Sequence, residues 1–388
     1  MQKILFLASW YPVRFDAMIG LFVKRHAEVV AQTHEVAVLH VTADYSNHRM
    51  IETEVFKVNG VFTVIVYYKR NKGKLPVFSQ LIKAIRWLYA FLTGIRIVFR
   101  QFGRPQYLHI HVLMLRIGIM TFVLSRLLSI PYYITEHSSY FLPEKNVRRN
   151  RWWTIATRWL ARKSNGLSAV SERLKHAMQD RGYTHPHFRV IRNVVPDVFF
   201  QIDPRYRPKD RIIFSNITCF DDSVKNISGL VRTVARMRNY RQDFELRLIG
   251  TGPDKPAIEK LVADLKLDDC VHFTGMLFDE QLVQEIVGSD FTVLFSYYET
   301  MAVVIAESLA CGRPVVATRT GGIPELVNSS NGLLVEPGNE DDLLRQLLRM
   351  MDTYRQYDPD KLRLETMRLF SKQSVSEAFD RFYFPNLS

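Results

Sequence analysis

The stretch from Phe295 to Val316 reads FSYYETMAVVIAESLACGRPVV. It sets two carboxylates, Glu299 and Glu307, into a segment whose one other charged residue is Arg313. FTVLF, ending at Phe295, reads as a short buried strand, and SYYET as the loop at its carboxyl end. The next apolar run reads as a helix over about Ala302 to Cys311, closed by Gly312, before Pro314 opens the next strand. Strand, loop, helix and strand in this order build a parallel sheet covered by helices. The backbone N–H groups of Met301, Ala302 and Val303 then stand at the helix amino end, backed by the positive end of its dipole. That arrangement suits a phosphate or diphosphate. A carboxylate cannot hold phosphate, but it accepts hydrogen bonds from sugar and ribose hydroxyls.

The same alternation runs along the whole chain. KILFLA, HEVAVLHV, YLHIHV, PYYITEH, GLSAVS and FRVIRNVV read as strands separated by helical segments. EVFKVNGVFTVIVYYKR reads as a hairpin turning at Asn59-Gly60, and a basic helix is expected from about Val77 to Phe102. After Asp197 the segment FQIDPRYRPKDR reads as a linker, and a second series starts: RIIFSNI, FELRLIG, CVHFTG, FTVLFS and PVVAT. Asn339 is a natural cap for the helix after it, and the tail from about Glu365 to Phe382 reads as helical. The expected organisation is an α/β chain of two doubly wound domains, 1–197 and 198–364, with a terminal helical segment, 365–388. Ligands of such sheets bind at the carboxyl ends of the strands, here in the cleft between the domains.

Composition narrows the classes of function. The 388 residues are 47% hydrophobic and 23% charged, as in a folded globular chain. No G-x-G-x-x-G or P-loop motif is present, which disfavours a dinucleotide enzyme or a P-loop NTPase. Three widely spaced cysteines without a C-x-x-C fit a reduced, cytoplasmic compartment and argue against a metal centre. The opening MQKILFLASWYP holds too short an apolar run for a secretion signal, and no run reaches the roughly 20 apolar residues of a membrane span. The net charge of +13 calls for a negative partner. Between Lys145 and Lys163 seven basic residues, Arg148 and Arg149 among them, and no acids interleave with Trp152, Trp153 and Trp159. Lys72, Lys74, Lys83, Arg86, Arg96 and Arg100 surround Trp87, Tyr89 and Phe91 in the same way. Either this is a surface for an anionic membrane, or a solvated basic face whose tryptophans belong to the core. No nucleic-acid motif accompanies the charge.

In its neighbourhood the opening stretch carries a resemblance. S-x-x-E-T-M-A-V-V-I-A-E-S-L-A-C-G-R-P-V-V-A-T, then GGIPELV and NGLLVEPGN, resembles the signature of the retaining glycosyltransferases with the GT-B fold, sequence family four. SWYP, IGLFVKRHAEVV, HIHV, IPYYITEH, LSAVSERL and VIRNVV resemble the landmarks of the family's N-terminal Rossmann-like domain. VKN at 224–226, LIGTGP at 248–253 and HFTG at 272–275 resemble those of its C-terminal one. The resemblance implies that Glu307 binds both ribose hydroxyls of a nucleotide and that Glu299 lies near the donor sugar. It implies that the amides of Met301, Ala302 and Val303, with Lys225 and the loop at Gly20, meet the donor diphosphate. It places His137 beside the donor sugar and the base against the backbone of Gly275 to Leu277.

The resemblance further implies an enzyme of hexosyltransferase type, without cofactor or obligatory metal. It would use a nucleotide-sugar donor and a saccharide acceptor; with the basic, Trp-rich surface of the N-terminal domain, the expectation is a lipid-linked acceptor in polysaccharide or lipopolysaccharide assembly at the inner membrane face. The terminal helix is expected to cross back to the N-terminal domain. One departure stands out: the family's arginine partner of Lys225 is missing from FSNITCFDDSVKN. Arg192 or a basic residue of the N-terminal domain would have to serve, or leaving-group stabilisation is weaker. His109 and His111 read as packing or backbone-bonded residues. A same-fold nucleotide-sugar epimerase or hydrolase, and a non-catalytic basic module binding membrane or nucleic acid, are the alternatives.

Overall fold

The computed structural model describes residues 1–46, 49–69, 76–145, 150–206 and 210–385. Lys72, Lys74, Arg148 and Arg149 lie outside the described residues. The first series forms β1 (Lys3–Ala8), α1 (Leu21–Val30), β2 (Glu35–Asp44), β3 (Ile51–Val58), β4 (Val61–Lys69), α2 (Pro76–Gln101) and β5 (Tyr107–His111). It continues through α3 (Leu115–Leu128), β6 (Tyr132–Glu136), α4 (Arg151–Lys163), β7 (Gly166–Ala169), α5 (Glu172–Asp180) and β8 (Phe188–Val190). These strands make one sheet in the order β3-β4-β2-β1-β5-β6-β7-β8. All pairs are parallel except β3 with β4, which face each other from Ile51 opposite Tyr68 to Val58 opposite Val61 across Asn59-Gly60.

The second series opens with β9 (Ile212–Ile217), α6 (Asp222–Lys225), α7 (Ile227–Met237), β10 (Phe244–Ile249), α8 (Lys255–Asp264) and β11 (Val271–Gly275). Then come α9 (Asp279–Gly288), β12 (Phe291–Leu294), α10 (Val303–Ala310), β13 (Val315–Thr318) and β14 (Gly332–Val335). Its parallel sheet runs β11-β10-β9-β12-β13-β14, so the strand order reverses between β9 and β12. β14 is an addition to the expected strands, because four residues after a turn carry too little pattern to separate from a loop. α11 (Glu340–Thr353) starts where expected, with the Asn339 side chain accepting from the Asp342 amide.

The tail differs from expectation. A single helix from Glu365 is instead two, α12 (Pro359–Phe370) and α13 (Lys372–Tyr383), broken at Ser371, which caps α13. Val375, Phe379, Phe382 and Tyr383 of α13 pack with Val23, Ala27 and Val30 of α1 on the first sheet. Strand alternation sorts the two faces of that sheet. Ile4 and Phe6 meet α1 and α13, whereas Leu5 and Leu7 share a core with α2, α3 and α4.

The outer surfaces of those three helices are apolar. On α2, Leu81, Ile85, Leu88, Tyr89 and Leu92 are exposed; on α3, Ile119, Val123 and Leu127; on α4, Trp152, Ile155 and Trp159. Trp87 and Trp153 instead pack against the core, whereas Trp152 and Trp159 are exposed. Among the described residues no helix is long and apolar enough to cross a membrane.

Arg313 is fully buried. It donates to the carbonyls of Ser289 (2.7 Å), Val287 (2.8 Å) and Pro204, and its guanidinium lies 4.8 Å from the Tyr206 ring. It therefore ties the connecting segment to the second sheet by satisfying backbone acceptors.

Buried histidines give the fold a pH dependence. Burial pushes His26 and His40 down to about 4 from 6.5, so both are neutral when folded and gain protons on unfolding in mild acid. Stability from this source is complete above pH 6.5 and is lost as the pH falls toward 4, at no more than roughly 1.4 kcal/mol per pH unit for each group. Urea unfolding is expected to show a lower midpoint at pH 5 than at pH 7.5, and His40→Gln is expected to flatten that difference. An unchanged difference in the variant would exclude His40 as a source.

Candidate active site

Open parallel sheets bind ligands where the strand order reverses. In the second sheet the loops leaving β9 and β12 flank that point, and they carry Lys225 and Glu299. The Lys225 ammonium donates to Glu299 Oε1 at 2.5 Å, and the Ser296 hydroxyl donates to the same oxygen at 3.0 Å. Burial alone would lower the lysine pKa, but the adjacent Glu299 carboxylate outweighs it, and the pKa lies above its ordinary value. Lys225 is thus a paired, mostly buried cation (17% exposed) and not a solvated loop lysine.

The loop around Glu299 is held on every side. The Tyr297 amide donates to the Val224 carbonyl at 2.8 Å, which ties it to α6. The Thr318 and Thr320 hydroxyls donate to the carbonyls of Ser296 (2.8 Å) and Tyr297 (3.1 Å). Gly321, at φ 53°, packs so closely that a Cβ would fall 1.5 Å from the Glu299 carbonyl oxygen, so no other residue fits there. Behind the loop α10 begins at Val303, and among the described residues the amides of Met301, Ala302 and Val303 donate to no protein acceptor.

Glu307 sits one turn into α10, between Ile305, Ala306 and Leu309, all buried. Its partner comes from the opposite sheet: Arg25 Nη1 of α1 donates to Glu307 Oε1 at 2.8 Å. The side chains are 16% and 6% exposed. The sequence calls for a second cation beside Lys225; Arg25 meets Glu307 instead, and among the described residues Lys225 is paired with Glu299. The available signal is the basic pair Lys24-Arg25 on the helix that Gly20 opens. Arg192, the other candidate, pairs with no carboxylate among the described residues, and its Nε has no hydrogen-bond partner. Gly20 itself, at φ 66°, packs against Trp10 so tightly that a Cβ would lie 2.3 Å from the Trp10 carbonyl carbon.

His137 comes directly after β6 at the edge of the cleft. Glu136, itself buried, fixes the turn: its Oε1 accepts from the amides of His137 (2.9 Å) and Ser138 (2.8 Å), and its Oε2 from Leu113 (3.1 Å). The His137 ring stacks on Phe22 at 4.4 Å, and its Nε2 lies 3.2 Å from His111 Nδ1. Burial, reinforced by His26 and His109, drives its pKa well below the usual value, so it works as a neutral imidazole. His109 bonds side chains and not backbone, meeting the Tyr383 hydroxyl and Thr135 Oγ1.

Further contacts close the cleft. The Ser171 hydroxyl, which caps α5, also donates to the Thr300 carbonyl at 3.0 Å. Glu325 accepts from the amides of Glu172 (2.9 Å) and Arg173 (2.6 Å) at the start of α5. A cavity of about 370 Å³ is lined by Asp210, Arg211, Asp243 and Arg355 at the amino ends of the second sheet. Strand amino ends offer no helix amino terminus to a ligand, so the cleft at the strand carboxyl ends is the better candidate. Gly275 ends β11, and its carbonyl accepts from the Gly250 amide at 2.8 Å.

Residues 22–198 match the family described as Glycosyltransferase Family 4, and residues 212–353 the family described as Glycosyl transferases group 1. The chain belongs to the group 1 glycosyltransferases and has their GT-B fold. It is 32% identical over 250 residues to an MMP alpha-(1->4)-mannosyltransferase of Mycolicibacterium hassiacum, covering 60% of each chain. The chain spans about three fifths of the length of the curated relatives it matches. Its fold is similar to that of a sucrose-phosphate synthase from Thermosynechococcus elongatus (TM-score 0.76, 19% identity, 100% and 99% of the two chains). It is also similar to that of Anabaena HepE in complex with UDP (TM-score 0.71, 15% identity, 97% and 98%).

The Lys225–Glu299 pair gives a direct test of this geometry. A double-mutant cycle of Lys225→Met and Glu299→Gln, measured by urea unfolding, is expected to give a coupling of about 1–3 kcal/mol. Additive effects would mean that the two side chains do not meet.

Proposed function

We propose that the protein is a retaining glycosyltransferase. It would move a sugar from a nucleoside diphosphate sugar to a hydroxyl of a saccharide or lipid-linked acceptor. The observation that carries this reading is that the free amides of Met301, Ala302 and Val303 directly follow Glu299, which holds Lys225, at the reversal point of the second sheet. UDP in HepE and the sugar-transfer names of the relatives support a nucleotide-linked donor.

In this reading the diphosphate rests on those amides, on Lys225 and on the Gly20 loop. The ribose hydroxyls reach Glu307, the base lies along Gly275 to Leu277, and the sugar lies between Glu299 and His137. Lys225, kept protonated by Glu299, and the helix amides stabilise the negative charge that builds on the leaving diphosphate, as preorganised donors do. No side chain is placed as a covalent nucleophile. The acceptor oxygen attacks the anomeric carbon from the face the diphosphate leaves; the bond to the phosphate oxygen breaks, and that oxygen takes the acceptor proton. Neutral His137 donates or accepts a hydrogen bond at the sugar and carries no charge. The same reading needs no obligatory metal, because Lys225 and the amides meet the diphosphate charge.

The acceptor reading rests on the outer face of α2, α3 and α4. Between Glu54 and Glu136 the sequence has no acidic residue, and the exposed apolar side chains of these helices stand among Arg96, Arg100, Arg116, Arg126, Arg151 and Arg162. Apolar side chains framed by cations suit an anionic leaflet. A lipid-linked precursor of a cell-surface polysaccharide or lipopolysaccharide would be presented there, at the inner membrane face.

Lys225→Ala is expected to lower nucleotide release about a hundredfold or more, the usual cost of removing one group that stabilises developing charge, and Glu307→Gln about tenfold or more through weaker donor binding, as for loss of a hydrogen bond to a charged group. Full turnover in both variants would contradict the site. Vesicles of phosphatidylglycerol are expected to carry the protein in flotation at low salt and to lose it in high salt. Replacing Trp152 and Trp159 by Ser should weaken binding, and absence of binding at low salt would remove the membrane reading.

A further inference from the structure

Glu307 is buried among aliphatic side chains, where a carboxylate is costly unless a cation meets it. Among the described residues its one hydrogen-bond partner is Arg25, from a helix of the opposite sheet. The bond occupies Oε1 alone. Among the described residues Oε2 takes no protein donor, and the side chain keeps 6% exposure. Ser171 and Glu325 likewise join α5 of the first series to the Thr300 loop and the segment after β13.

We propose that Arg25 is a specificity-determining positioning residue. By fixing Oε1 of Glu307 it presents Oε2 to the hydroxyls of the nucleotide's ribose, so that discrimination between ribose and deoxyribose is assembled from both halves of the molecule. This rests on the reading of Glu307 as the ribose ligand. Without Arg25 the carboxylate has no partner to fix its rotamer, turns away from the cleft, and loses its grip on the sugar hydroxyls. The diphosphate contacts, made by Lys225 and the α10 amides, do not pass through Arg25.

The test is calorimetric. Titration with UDP, GDP and ADP identifies the base that binds, and the same nucleotide is then compared with its 2′-deoxy form. The wild-type chain is expected to favour the ribonucleotide by roughly tenfold or more, as for loss of a hydrogen bond to a charged group. In Arg25→Ala and in Glu307→Gln the ratio should fall toward one. The double variant should do no worse than either single one, because both remove the same contact. Arg25→Lys should recover part of the ratio. Thermal midpoints measured alongside show whether each variant is folded; if Arg25→Ala is not, Arg25→Gln serves for the same comparison.

Full discrimination in folded Arg25→Ala or Arg25→Gln would overturn the inference while leaving Glu307 as ribose ligand. A wild-type chain that binds the nucleotide without discriminating would overturn the assignment of Glu307, and the inference with it. A chain that binds none of the three nucleotides would overturn the donor reading itself.

Discussion

A carboxylate placed in an apolar frame needs a cation, and the cleft of this protein is organised around that requirement. Glu299 and Glu307 stand on either side of an uncapped helix amino end, and each is met by one basic side chain. Lys225 arrives from a loop of the same sheet, whereas Arg25 arrives from the other. Removing one partner of a buried pair strands the other's charge, which costs more than the pair itself contributes. Closure of the two halves is therefore tied to the electrostatics of the site as well as to packing.

The supporting parts obey the same constraint. The loop that carries Glu299 is fixed by Tyr297, Thr318 and Thr320, and Gly321 leaves it no room to move. On the opposite wall Glu136 spends its carboxylate on three backbone amides to hold the His137 turn, and Phe22 covers the ring. The ion pairs of the cleft thus stand where strands end, on sheets whose buried polar side chains, such as His109 and Thr135, bond to one another. That placement is what an open parallel sheet offers to a phosphorylated ligand.

Much of this is legible in the sequence, for reasons that differ from element to element. The strands around Phe295, the hairpin at Asn59-Gly60 and the Asn339 cap are local, since their periodicity or turn chemistry lies within a few residues. The E-x7-E spacing with its amide-rich neighbourhood is local too, and it points the candidate anion site to one loop and helix. The Arg25–Glu307 pair spans 282 positions, and no local pattern links its members. The clasp of Glu325 on α5 and the burial of Arg313 depend on the tertiary arrangement in the same way. A lysine or arginine on an amphipathic helix looks solvated until the facing surface is known. The break at Ser371 is hidden because both flanking segments are helical and the serine serves as the cap of the second.

The central claim is that a nucleoside diphosphate lies across the amino end of α10, with its phosphates on Lys225 and its ribose on Glu307. The most direct measurement is a crystal structure of the protein soaked with the nucleotide it binds. Phosphate oxygens are expected within hydrogen-bonding distance of Lys225 Nζ and of the amides of Met301 to Val303, with ribose hydroxyls on Glu307. A nucleotide seated instead in the cavity beside Asp210 and Arg355, with the Arg25–Glu307 cleft empty, would contradict the claim.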